Sequence, residues 1–97
     1  MPAYVIASVR SADGDPQALA EYREGNTTAV ANHGGRFIVR GGPIERLEGD
    51  WAPLRVIVAE FPDAAAARGW YESDEYQPLK ALRRTASETD ILLVEGV

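Results

Sequence analysis

Three short stretches of this chain are apolar at both alternating sets of positions. In Ala3–Val9, Tyr4 and Ile6 are apolar, and so are Val5, Ala7 and Val9. In Leu54–Phe61, Val56 and Val58 alternate with Ile57, Ala59 and Phe61, and in Ile91–Val94 every residue is apolar. β-Branched and aromatic runs of this kind predict strands, whose successive side chains point to opposite faces. A sheet with one wet face alternates apolar with polar residues. These strands do not, so both faces of their sheet need cover.

The remaining segments can cover only one face. Asp15-Pro16 reads as an N-cap and first helical residue. Leu19, Tyr22, Asn26, Ala29, Val30 and His33 follow at helical spacing, and Gly34-Gly35 stops the helix. Gly25 inside this helix is a weak point, costing ~1 kcal/mol relative to alanine. Arg36 to Leu47 reads as a long strand interrupted by Gly41-Gly42-Pro43, which argues for an edge position or a bulge. Pro62-Asp63 opens a second helix, Ala64 to Glu72, with Ala67, Trp70 and Tyr71 as its apolar stripe. The helix restarts near residues 75–78 and carries Tyr76, Leu79, Leu82, Arg83 and Ala86. Ile91 to Val97 is the last strand. The order β-α-β-β-α-β predicts an α+β, ferredoxin-like protomer with an antiparallel sheet and helices on one face. At 97 residues this is one domain, 1–97. The uncovered face predicts a homodimer that packs sheet against sheet.

Composition removes several function classes. There is no cysteine, so thiol catalysis and thiolate metal sites are excluded, and a single histidine excludes a polyhistidine metal site within one chain. A net charge of −5 argues against nucleic acid as a partner. Gly35 to Val39 falls in the wrong strand for an RNA-recognition motif. Gly34-Gly35 and Gly41-Gly42 lack the Lys-Ser/Thr of a phosphate loop. Glu45, Glu48 and Asp50 bunch at a turn, which reads as solvated rather than metal-binding. Met1 to Val9 has no basic leader and no stretch is long enough to span a membrane, so the expectation is a cytoplasmic protein with no membrane partner.

The candidate site residues come from the helix–sheet layer. His33 is the only histidine, the one residue type whose unperturbed side chain changes charge near neutrality. It is a candidate catalytic general base, and its other reading is a helix end favoured by the macrodipole. No serine or aspartate is placed to make a triad with it. Arg36 and Arg40 read as sharing one face of the second strand. Arg40 is a candidate anion ligand because a guanidinium binds carboxylate bidentately and Gly41-Gly42 admits close approach. Tyr76 and Arg83 lie on one side of the last helix, and Arg83 either lines a pocket or extends its head to water. Asn26, on a sheet-facing stripe, either bonds a strand carbonyl or orients a ligand. Trp51 suits an interface or a lid, and Trp70 suits the core.

Gly34-Gly35-Arg36-Phe37-Ile38-Val39-Arg40-Gly41-Gly42, Leu47-Glu48-Gly49-Asp50-Trp51, Glu60-Phe61-Pro62, Trp70 to Gln77 and Val94-Glu95-Gly96 occur in this order along nearly the whole chain. In these motifs the chain resembles the family catalogued as domain of unknown function 1330, of the dimeric α/β-barrel superfamily. The resemblance implies a ferredoxin-like protomer and a barrel closed by two sheets. The superfamily includes small monooxygenases, dismutases and isomerases that need no cofactor, and also haem proteins. The expectation is a small homodimer without cofactor or metal. Its helix–sheet cleft binds or transforms a small anionic or carbonyl-bearing organic molecule through Asn26, Arg40, Tyr76 and Arg83, with His33 as the catalytic candidate. The alternative is a non-catalytic binding or regulatory dimer with no open pocket.

Overall fold

Local chemistry sets most of the element ends in the computed structural model, which describes residues 1–97. The chain runs β1 (Ala3–Ser11), α1 (Pro16–Asn32), β2 (Arg36–Arg40), β3 (Arg55–Phe61), α2 (Ala64–Glu72), α3 (Tyr76–Ala86) and β4 (Glu88–Glu95). Asp15 caps α1 by accepting the Gln17 N–H at 2.9 Å, and Pro16 takes the first helical position. Asp63 caps α2 by accepting the Ala66 N–H at 2.8 Å. Ser73 joins the two halves of the broken helix. Its hydroxyl donates to the Trp70 carbonyl at 2.8 Å and accepts the Tyr76 N–H at 3.1 Å.

The four strands form one antiparallel sheet in the order β2-β3-β1-β4, so the topology is the ferredoxin-like βαββαβ. Registers Ala3↔Phe61 and Val5↔Ala59 stack the inward side chains of the two central strands. On that face Val5, Ala59 and Phe61 are buried with Val30, Trp70 and Tyr76 from the helices. The opposite face carries Tyr4 and Ile6 beside Val56 and Val58, and Leu92 and Val94 beyond them. No helix covers it: Leu92 is 62% exposed and Val94 44%. Trp51 lies against this outer face, its indole N–H donating to the Ser8 hydroxyl at 3.2 Å.

Three expectations are corrected. The second strand ends at Arg40 rather than Leu47. Gly41 turns the chain out of the sheet at φ 73° after giving its N–H to the Val56 carbonyl at 3.1 Å, and the following residues to 54 form an exposed loop. Arg36 and Arg40 also do not share a face. A register shift between Phe37 and Val39 inserts Ile38 as a bulge. Arg36 therefore stays on the outer face, paired with Glu60 at 2.9 Å, while Arg40 turns to the helix face beside Phe37. The last strand also starts earlier than its apolar run, at Glu88, because Thr89 and Asp90 already pair with Val9 and Ser8.

Gly25 is where α1 meets α3. A Cβ there would meet the Leu79 side chain, so the helix propensity lost at this glycine is exchanged for close helix contact. Gly14 is tighter still. Its N–H donates to the Ala86 carbonyl at 3.1 Å, and a Cβ would overlap the Ala86 backbone. Gly14→Ala is expected to destabilise the protein by roughly 1–3 kcal/mol in chemical denaturation. Gly42→Ala, where a Cβ meets nothing, is expected to be near neutral. Equal stability of the two variants would refute this packing.

Candidate functional site

Between α1 and the sheet lies a cavity of about 80 Å³. Its floor is Val5, Ala7 and Val9 of β1, Ile57 and Ala59 of β3, and Ile91 of β4. Two of these are alanines, and short floor residues leave room that larger aliphatics would fill. Leu19, Tyr22 and Asn26 of α1 form one wall, with Trp70 and Arg83 from the later helices. Arg23, Arg40 and Arg55 complete the lining. No aspartate, glutamate or histidine lines it.

Arg83 is the most unusual of these groups. It occupies the inward stripe of α3, is only 7% exposed, and has a buried Nε with no hydrogen-bond partner. The ion pairs of the protein are Arg10 with Glu88 and Asp90 and Arg36 with Glu60, and Glu75 lies 3.8 Å from the His33 ring, so Arg83 has no counter-charge. A buried, unpaired cation is costly. Arg83 also borders an open polar recess of about 410 Å³, shared with Arg10, Arg84, Ser87 and Thr89. Its guanidinium thus stands between the apolar cavity and the recess.

The other polar groups are organised in pairs. Asn26 accepts the Trp70 indole N–H at 2.9 Å, not a strand hydrogen bond as one reading of the sequence had it. Its amide NH₂ has no protein partner. The Tyr22 and Tyr76 hydroxyls bond at 2.8 Å. Burial first, and then Tyr76, push the Tyr22 phenol well above its ordinary range, while the Arg83 guanidinium acts in the opposite sense. Tyr22 is therefore a neutral hydrogen-bonding group at neutral pH. Arg40 lies 4.3 Å over the Phe37 ring and donates to the Thr27 hydroxyl and, at 3.5 Å, to the Arg23 carbonyl.

Of the residues singled out by sequence, Asn26, Arg40 and Arg83 line this one cavity. Tyr76 is fully buried behind Tyr22 and reaches the cavity only through that hydroxyl. His33 does not reach it. It caps the end of α1, one turn beyond the last cavity residue of that helix, Val30, with Nδ1 2.9 Å from the Ala29 carbonyl and 3.8 Å from Glu75. Sequence reasoning missed Tyr22, Arg23 and Arg55 as site residues. Arg55 had a signal: it is the one charged member of the otherwise apolar set Arg55, Ile57, Ala59, Phe61.

Comparison with known proteins places the chain structurally. A family model described as Domain of unknown function (DUF1330) matches residues 2–97. No curated protein matches. A Rhodopseudomonas palustris protein of unknown function is similar in structure, with 20% identity, TM-score 0.77, and coverage of 99% of this chain and 82% of that one. A dimeric ferredoxin-like protein of unknown function from Jannaschia sp. CCS1 aligns at 14% identity and TM-score 0.76, covering 99% and 100%. SnoaB, a cofactor-independent oxygenase from Streptomyces nogalater, aligns at 19% identity and TM-score 0.65, covering 99% and 92%. At these identities the likeness is one of fold.

The raised Tyr22 phenol gives a pH dependence. Unfolded tyrosine loses its proton near pH ~10, whereas folded Tyr22 keeps it. Its contribution to stability is therefore whole below that value and declines as pH rises above it. Denaturation midpoints measured from neutral to strongly alkaline pH should fall more steeply for the wild type than for Tyr22→Phe. Parallel curves would contradict the buried phenol.

Proposed function

The chain belongs to the DUF1330 family, and we propose that its cleft binds a small organic molecule bearing a carboxylate or an ionisable carbonyl. The observation that carries this reading is Arg83: a buried guanidinium with no counter-charge, in the same cavity as Arg40 and Asn26. A bound anion would supply the missing partner through charge-assisted hydrogen bonds. The Asn26 amide NH₂ and the neutral Tyr22 hydroxyl add donors, and the apolar floor takes the body of the molecule. With no carboxylate or imidazole on the wall, the site favours holding negative charge over accepting a proton. Any catalysis is then stabilisation of an enolate, phenolate or oxyanion form by fixed donors, without a cofactor. The chemistry named for SnoaB, cofactor-independent oxygenation, is compatible with a substrate held in that form.

One observation favours a non-catalytic, closed dimer instead. The cavity of about 80 Å³ is smaller than the ~300–1,000 Å³ of ordinary ligand sites. A direct titration separates the two readings. In a Trp51→Phe background, Trp70 fluorescence reports on the cavity, because Trp70 lines it. Benzoate is expected to give a saturable change, and neutral benzamide none. Arg83→Ala should weaken benzoate by about 1.5–3 kcal/mol, on the order of ten- to hundredfold, while the protein stays folded. No response to any carboxylate would favour the closed dimer.

The same proposal includes a homodimer built through the outer sheet face. Its support is the apolar surface of Ile6, Val56, Val58, Leu92 and Val94, with Trp51 held against it. Contiguous apolar surface of this kind marks an interaction site. The Jannaschia protein of the same fold is described as dimeric. Light scattering should give twice the 10.5 kDa mass of one chain. Val58→Glu, which puts a carboxylate into that face, should split the dimer or unfold it. A stable, folded monomer at micromolar concentration would overturn the dimer.

A further inference from the structure

We propose that Arg23, Arg40 and Arg55 form a dianion-binding subsite at the rim of the cleft, so that its ligand carries a doubly charged head, a phosphoryl group or a pair of carboxylates. This deepens the proposed function and rests on it. The three residues come from three elements, α1, the bulged edge strand β2 and the first position of β3, and all line the one cavity. None has a carboxylate partner, since every ion pair of the protein involves other residues. Acids are not scarce: the chain has 15 Asp and Glu against 10 Lys and Arg. Three unpaired cations gathered at one rim of an acidic protein repel one another, and the arrangement gains stability only when an anion joins them.

The rim is also built rather than incidental. Arg40 owes its inward direction to the Ile38 bulge and is held by the Phe37 ring, the Thr27 hydroxyl and the Arg23 carbonyl. Arg55 packs on Gly41, where a Cβ would overlap its guanidinium, and its buried Nε has no partner. Burial, then Arg23 and Arg40, make the Arg55 guanidinium easier to deprotonate than usual, the direction that like-charge crowding gives. Arg83 is a separate pole. It shares its recess with Thr89 and Ile91 of β4, and β4 and β2 are opposite edges of the sheet. A ligand oriented by both poles puts its dianionic head at the β2 edge and a carbonyl or carboxylate toward Arg83.

The test uses the full chain and four probes: inorganic phosphate, phenyl phosphate, phthalate and benzoate, in mildly alkaline buffer at constant ionic strength. Millimolar inorganic phosphate should raise the thermal midpoint where chloride does not. Calorimetric titration should show phenyl phosphate, phthalate or both binding about tenfold or more tightly than benzoate, the scale of an added charge-assisted hydrogen bond. Phenyl phosphate alone identifies a phosphoryl head, and phthalate alone a dicarboxylate. Arg55→Gln should abolish the preference for dianions and, in chloride alone, melt no lower than the wild type, because it relieves repulsion. Arg23→Gln, on the exposed side of α1, should remove the preference as well and serves if Arg55→Gln does not fold. Arg83→Gln should weaken benzoate and the dianions alike. Benzoate binding with no dianion preference overturns the subsite and leaves the cleft reading standing. Absence of binding by every probe overturns both.

Discussion

The structure depends on one imbalance: a sheet apolar on both faces, with helices enough for one. The helix face must then hold both the core and whatever site the protein has, and it divides them along the strands. At the end where Ala3 pairs with Phe61, aromatics close the layer. Trp70 sits 4.4 Å from the Tyr76 ring and 5.7 Å from Phe61, centroid to centroid. At the other end Val9 pairs with Arg55, and the floor is alanine and β-branched residues under a rim of arginines. The aromatic half fixes α2 and α3 on the sheet. The open half inherits a rigid floor and walls, which is what a site needs to hold its groups in place.

The two halves are joined by hydrogen bonds rather than by packing alone. The Trp70 indole belongs to the aromatic half, and its N–H holds Asn26 on the cavity wall. Tyr76 is buried in the core, and its hydroxyl holds Tyr22 on the same wall. In each case a core residue orients a polar wall residue, which leaves the Asn26 amide free to act as a donor. A buried polar group without such a partner would cost stability. The buried Nε atoms of Arg83 and Arg55 have none, and of the two residues Arg83 is the more deeply buried, only 7% exposed.

Much of this was legible in the chain. Both helix caps at Asp15 and Asp63, the break at Ser73 and the two-faced strands follow from local chemistry and period, and they lead to the βαββαβ order. The resemblance to DUF1330 motifs pointed to the same fold. What escaped has a separate cause in each case. The bulge at Ile38 is a one-residue slip that no local propensity encodes, and it alone decides that Arg40 turns inward while Arg36 does not. His33 continues the inward stripe of α1, but periodicity fixes direction and not how far along the helix the cavity extends. Tyr22 looked like an apolar member of that stripe, although its hydroxyl bonds across to α3. Arg55 was hidden because the Leu54–Phe61 run was weighed by its apolar members alone.

Net charge and local charge point in opposite directions here, and distance decides which one a ligand meets. The whole chain is acidic, but at physiological ionic strength exposed charges are screened beyond about 8 Å. A small anion at the mouth of the cleft therefore responds to the arginines that line it more than to the carboxylates elsewhere. The two cationic poles differ in turn. Arg83, buried, keeps its field as salt rises, whereas Arg23 and Arg40, exposed, lose much of theirs. The acidic exterior and the arginine-lined cleft are thus compatible: in the proposed reading the arginines act at contact, on a molecule small enough to enter.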